Sequence, residues 1–408
     1  MRNLFFVLAL SFIATNLLAQ QKTITVSGRV TDKETGEALI YATVGLRGIP
    51  IGTISNAKGE FDFHIPGEYA AETFVISMIG YESYIAPVTK AEGITKFKLN
   101  KSLTVLSEVV VVDSLSAGDI FKIAINRITK NYPMEPVEMD GFYRDVKMVG
   151  GKYVSLLEAA ITIYDKDYEA PKDYTKVRER VAIKEIRKSY DYDFAYAKYF
   201  EEYNLLEDLL LDNVIKYRSF NDEPLFYQLL QRKTVIGSDN KPLYLVFINQ
   251  PGYDLKIFID PITYGILRLE FGYGNGIEPI FNYKRSRKLM HNVMRLDKLI
   301  EFELHNEKLY LKYIKTQYKN VWVNTETGKP DQTTQLFQEL LINNINTKDP
   351  SWVSSAKKMK RYGLQYQHKD YNKAFWENYN VIKETPLNKK IIRDLEENGS
   401  LEKQFEDN

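Results

Sequence analysis

At 408 residues the chain is longer than a single hydrophobic core usually serves, so two or more domains are expected. Its 55 basic and 54 acidic residues nearly cancel, which excludes the concentrated positive charge that nucleic-acid binding needs. There is no cysteine, hence no disulfide, thiol chemistry or cysteine-linked lipid, and 29 tyrosines with 21 phenylalanines favour a strand-rich globular protein.

Residues 1–20 read as a signal peptide: Arg2 gives a basic start, an apolar run follows from Leu4, and Leu17-Leu18-Ala19 precedes Gln20 as a cleavage region. That run is too short to span a bilayer, so no transmembrane segment is expected in the mature chain. Without Arg2 the basic residues number 54 against 54 acidic, a formal net charge of zero. The expectation is an exported protein, periplasmic or associated with an outer membrane.

From Thr23 the sequence alternates apolar and polar residues to Val30, the two-residue period of a half-buried strand. A turn over 32–36, a second strand over 38–46 and a strand over 73–78 follow. Between them, Gly52-Thr53-Ile54-Ser55-Asn56-Ala57-Lys58-Gly59-Glu60-Phe61-Asp62-Phe63 joins a polar turn to a strand. Asn56 and Gly59 supply the turn, and Phe61 and Phe63 share one strand face. Short strands at this spacing indicate a β-sandwich.

Gly28-Arg29-Val30-Thr31-Asp32, Gly36-Glu37-Ala38-Leu39, Gly59-Glu60-Phe61, Ile79-Gly80-Tyr81 and Leu106-Ser107-Glu108-Val109-Val110-Val111 occur in this order over residues 22–112. The set resembles the carboxypeptidase-regulatory-like module of Bacteroidetes envelope proteins, a transthyretin-like β-sandwich. The resemblance implies an accessory fold that carries no catalytic residue. Such modules often precede a TonB-dependent receptor, but the remaining chain is too short for a plug and a barrel of ~22 strands. A peptidase reading lacks its ligands: His64, His291, His305 and His368 form no zinc motif.

Residues 115–135 contain an amphipathic linking helix, with Ser116 at the N-cap, Asp119 three residues on, and Ile120, Phe121, Ala124, Ile125 and Ile128 at helical spacing. Residues 139–350 form an antiparallel β-rich domain. Strands are expected over 141–146 and 153–160 around Gly150-Gly151, then over 226–235, 243–249, 255–259, 266–271, 299–304, 309–318 and 333–345. A helix is expected over 199–214. Arg144 reads as a strand arginine paired with a carboxylate such as Glu158. Asp191 and Asp193 read as solvated acids, because the calcium-loop glycine and glutamate are missing. Asp260, before Pro261, reads as a turn residue.

The tail, residues 351–408, is expected to dock on the second domain through Trp376 and Tyr379. With Asn131-Tyr132-Pro133 and Gly141-Phe142-Tyr143-Arg144, it resembles Bacteroidetes carboxypeptidase-like regulatory domain-containing proteins, which bring no assigned activity. The strand pattern also resembles the open half-barrel of periplasmic lipoprotein carriers, whose concave face must be filled by helices or a ligand.

The sequence thus indicates a mainly β protein: an N-terminal sandwich, then an α+β domain built on a large curved antiparallel sheet. No catalytic residue, metal ligand or cofactor is assigned, and the binding residues are not identified. The leading expectation is a non-catalytic envelope protein binding a partner protein, a lipid or a glycan. Two alternatives stay open: a hydrolase with a carboxylate site, and a structural envelope-assembly factor.

Overall fold

The computed structural model describes residues 23–91, 93–102, 115–190, 194–200, 205–220, 223–238, 241–348, 363–383 and 389–407. The signal segment, the motif at 106–111, and Asp191 with Asp193 lie outside the described residues.

The N-terminal unit contains β1 (Thr23–Asp32), β2 (Thr43–Leu46), β3 (Ile49–Ile54), β4 (Glu60–Pro66), β5 (Thr73–Ser77), β6 (Tyr84–Pro87) and β7 (Lys96–Leu99). They form two layers, β4-β1-β7 and β3-β2-β5-β6. Val26, Val30, Phe61, Phe63 and Phe97 on one layer meet Val44, Phe74 and Ile76 on the other, which is the aligned core of a sandwich. Gly28 makes room for this core, since a Cβ there would lie 2.4 Å from the Phe97 ring. The turn before β4 is closed by Asn56, whose Oδ1 accepts from the Lys58 and Glu60 backbone N–H groups at 2.9 and 2.8 Å. Gly59 takes φ +76° there.

The second strand is shorter than the expected 38–46. Tyr41 adopts a left-handed φ of 61°, and only Thr43–Leu46 is extended. Ser55 Oγ accepts from the Ala42 N–H and donates to the Leu39 carbonyl, so a side chain takes the place of a ladder partner.

The second unit contains β8 (Val137–Val149), β9 (Lys152–Asp165), β10 (Arg180–Lys188), β11 (Gln231–Ile236), β12 (Pro242–Gln250), β13 (Tyr253–Ile259), β14 (Ile266–Tyr273), β15 (Phe281–Ser286), β16 (Leu289–His305), β17 (Lys308–Asn324) and β18 (Pro330–Asn346). The sheet order is β11-β12-β13-β14-β16-β17-β18-β8-β9-β10, antiparallel throughout, with β15 paired to β16. The outer strands β10 and β11 each have one neighbour, so the sheet is open. The sandwich abuts it where β3 meets β18 at Ile51 and Asn344.

Two further local expectations are corrected. The expected strand 226–235 begins as a helix, Pro224–Leu229, because Pro224 at its first position is preset for helical φ and Phe226 packs 6.2 Å from Phe121. The expected helix 199–214 is resolved into Leu205–Leu211 and Val214–Tyr217, with Asn213 capping the second by accepting from the Lys216 N–H. Strands β10 and β15 and the first half of β16 were not anticipated.

Both sheet faces are covered. On one lies the helix Ala117–Asn126, started by the reciprocal Ser116–Asp119 capping box, with Ile120, Phe121 and Ala124 turned to the sheet. The other face carries the sandwich and the C-terminal segment, with Trp376 and Ile382 packed among Phe142, Tyr313 and Leu341. Double coverage explains why β9 from Leu156 to its end at Asp165 is buried at every position instead of alternating.

Candidate ligand cavity

The strand period sets the floor of a cavity on the helix-covered face. Ile257, Leu269, Ile300 and Ile314 are cross-strand partners on four successive strands, β13, β14, β16 and β17. The adjacent row on that face runs Leu255, Phe271, Lys298, Thr316. Phe121, Phe226, Phe220, Leu211 and Val214 form the roof, and the partly open cavity between measures about 440 Å³. Apart from Asp212, Ser219 and Lys298, its lining is apolar or aromatic. Phe121 meets Phe220 edge-on at 5.4 Å, so the roof is a set of interlocked rings.

Polarity enters along one line. Lys298, Thr316, Gln338 and Asp145 are successive cross-strand partners on β16, β17, β18 and β8. Asp212, just after the helix Leu205–Leu211, bridges the start of this row: its carboxylate accepts from Lys298 Nζ and, at 2.6 Å, from Thr316 Oγ1. Gln338 Nε2 donates to Tyr143 Oη at 3.0 Å and to the Leu205 carbonyl at 2.7 Å, and Tyr143 donates to Asp145. These bonds fix the roof helix to the floor. A second cavity, about 410 Å³, lies beyond Asp212 and shares Leu211 and Asp212 with the first. Its lining is mixed, including Lys147, Tyr199, His291, Val293 and Asn320.

The opposite face holds a different kind of space. A cleft of about 520 Å³ between Tyr41 of the sandwich and strands β13 to β17 is lined by charges of both signs. They satisfy one another: Arg268 pairs with Glu270 and Glu301 at 2.9 and 3.1 Å, and Arg295 with Asp297 at 2.6 Å. Most of these charges are thus taken up within the surface, while Lys315 donates to the Tyr41 hydroxyl at 3.0 Å.

The residues singled out in the sequence occupy separate places. Arg144 is fully buried and donates to Glu158 at 2.6 Å, to Glu339 at 3.1 Å and to the Ile382 carbonyl at 3.0 Å. Burial pushes Glu158 upward, but Arg187 and Arg144 outweigh it and hold its pKa below the ordinary value. Glu339 has one guanidinium and the Tyr313 hydroxyl, so burial prevails and its pKa is raised. Glu158 and Glu339 line none of the cavities described above. A second buried cluster joins Lys216 to Asp165 and, at 2.9 Å, to Glu179, and burial pushes Asp165 up to about 6.

Asp260 is a turn residue, accepting from the Ile262 and Thr263 N–H groups. His64 exchanges backbone hydrogen bonds with the Asn380 side chain, and burial lowers its imidazole pKa. His291 stacks on Trp322 at 4.2 Å in the second cavity, whereas His305 lies beside Asn306 at a hairpin. His368 stands in the tail, in the segment after the short helix Leu364–Tyr366. No group of three or more potential metal ligands occurs among the described residues. Trp376 and Tyr379 pack inward, and Tyr379 donates to the Gly141 carbonyl at 3.0 Å.

The cavity residues were not singled out from the sequence, although one signal was present. Lys298 sits in phase with Ile300 and Phe302, Thr316 with Ile314, and Gln338 with Leu340 and Ile342: each is a polar residue that adjoins an apolar run in its own phase.

Residues 26–112 match the family model of the CarboxypepD_reg-like domain, and the N-terminal sandwich is a domain of that kind. No curated protein matches the chain. Among solved structures, a study of lipid–protein interactions in lipovitellin is similar at 7% identity and TM-score 0.25, covering 57% of this chain and 27% of that one. The chain therefore spans about a quarter of that lipovitellin chain's length. A DUF1329 family protein from Desulfovibrio piger is similar at 8% identity and TM-score 0.22, covering 59% of this chain and 99% of its own. A LolA superfamily protein from Nitrosomonas europaea is similar at 8% identity and TM-score 0.19, covering 58% and 95% respectively. Among the described residues no helix is long and apolar enough to cross a membrane.

Proposed function

We propose that this is a non-catalytic binding protein of the cell envelope that takes an apolar chain into the cavity between the Ala117–Asn126 helix and strands β13, β14 and β16. The observation that carries this reading is the largely apolar lining of a space of about 440 Å³, in which Asp212, Ser219 and Lys298 are the polar exceptions. That volume lies within the ~300–1,000 Å³ of small-molecule sites. Water in such a space would find few polar partners, so an apolar ligand gains from displacing it.

The exported setting rests on the pattern of residues 1–20 and on the regulatory-like module. The module acts as a clamp: Asp62 pairs with Lys383 at 2.7 Å and Asn56 Nδ2 donates to the Lys383 carbonyl at 3.2 Å, fastening the C-terminal segment over the outer face of the sheet. The ligand therefore enters from the helix side. Native mass spectrometry of the full chain purified from its own envelope tests the proposal. A retained hydrophobic adduct, lost on delipidation and regained on adding back the extract, is expected. An unliganded protein that takes up nothing from the extract contradicts it.

A further inference from the structure

At Asp212 the apolar cavity adjoins one whose lining carries more polar side chains, and that change points to what the ligand's other end is. The two spaces share Leu211 and Asp212 in their linings, so they adjoin at the Asp212–Lys298 pair, and a molecule occupying both would pass it. The second keeps aromatic and aliphatic walls but adds Asp208, His291, Asn320 and Gln338 to its lining, and its lysine is committed. Lys147 faces Asp145 Oδ1 at 3.4 Å, Lys298 is held by Asp212, and Asp208 adds a further carboxylate to the lining. A carboxylate or phosphate head would be taken out of water there beside Asp208 and Asp212, with Lys147 already facing Asp145 and His291 stacked on Trp322.

Asn320 supplies the positive indication. It is 8% exposed, lines this cavity, and leaves its Oδ1 without a hydrogen-bond partner. Its Nδ2 reaches Thr334 Oγ1 only at 3.5 Å, while that hydroxyl already accepts from Trp322 Nε1 at 2.9 Å. An amide has an acceptor at one end and donors at the other, so in either orientation one end remains for a ligand. A hydroxyl, being donor and acceptor at once, satisfies either end. A buried amide left unmade is costly enough to select for such a partner.

We infer that the second cavity is a head-group pocket, and that the protein's ligand is a single-chain amphiphile with an uncharged, hydroxyl-bearing head whose hydroxyl pairs with Asn320. This rests on the apolar-chain reading of the first cavity and names the ligand class for it. The head lies against the Tyr199 and Phe200 side and the chain runs under Phe121 and Phe226.

The test is displacement of a fluorescent acyl probe from the full chain by three compounds sharing the myristoyl chain: the glycerol monoester, the methyl ester and the free carboxylate. The wild-type protein is expected to prefer the glycerol monoester over both others by about tenfold, the worth of one buried polar group given its partner. Asn320→Leu is expected to bind the glycerol and methyl esters alike, at the wild-type level for the methyl ester. Equal wild-type affinity for the two esters, or a preference for the carboxylate, overturns the head-group assignment while leaving the chain site standing. An Asn320→Leu protein that keeps the preference overturns it as well. Failure of the probe and of all three compounds to bind removes the chain site itself. The wild-type rank order requires no variant, so a poorly folding Asn320→Leu protein does not rescue the inference.

Discussion

Replacing Arg144 by methionine removes the group on which three parts of the molecule converge. Its guanidinium donates to Glu158 on β9, Glu339 on β18 and the Ile382 carbonyl of the C-terminal segment, at 2.6, 3.1 and 3.0 Å. Methionine has comparable reach and no charge. In its presence Glu158 keeps Arg187, but Glu339 keeps the Tyr313 hydroxyl at 2.7 Å and only the unbonded charge of its cross-strand neighbour Lys315, and the Ile382 carbonyl loses its donor. One buried carboxylate without a bonded cation, together with an unmade carbonyl bond, places the loss at ~3–5 kcal/mol of unfolding free energy. Adding Glu339→Gln should restore part of it by removing the stranded charge. Urea titration followed by tryptophan fluorescence measures both, because Arg187 lies 4.4 Å from the Trp376 ring centre and detachment of the segment changes that environment. A loss below ~1 kcal/mol, or a double variant weaker than the single one, would refute the view that this cluster fastens the tail.

Two further predictions concern pH and backbone geometry. Glu158 has a folded pKa below its ordinary value of 4.5, so the stability it contributes is present above that value and is lost as pH falls through the folded pKa. The gap in urea midpoint between wild type and Glu158→Gln should be constant near neutrality and close in acid; a gap unchanged down to pH ~3 contradicts this. Gly59→Ala places a Cβ 2.3 Å from the Val30 carbonyl at a φ of +76°, and should cost the module at least ~2 kcal/mol by thermal unfolding. A melting curve like that of the wild type would show that the turn relaxes at little cost.

Much of the fold was legible because its signals are local. Asn56 and Gly59 close a turn within a few residues of themselves, and Ser116 with Asp119 starts a helix without help from elsewhere. Phe226 misled because its neighbours continue an apolar run into β11; Pro224 was the stronger indication, and it begins a helix. Strand β10 was hidden by its charges: Arg187 appears unsuited to a covered face until Glu158, nearly thirty residues earlier, is seen to receive it. The cavity was the least legible part. Lys298, Thr316 and Gln338 each adjoin an apolar run in their own phase, yet only the distant pairing of β18 with β8 makes them one row with Asp145. The space beside that row depends on how Phe121, Phe220 and Phe226 stack, which no periodicity encodes.

The most direct test of the central claim is a titration of the full chain with a fluorescent long-chain acyl probe, comparing wild type with Leu269→Trp. Leu269 lies on the floor of the apolar cavity between Ile257 and Ile300, and an indole there occupies the space reserved for the chain. Saturable binding of one probe per wild-type chain, lost in a folded Leu269→Trp protein, is the predicted result. Absence of saturable binding, or equal binding by the two proteins, would contradict it.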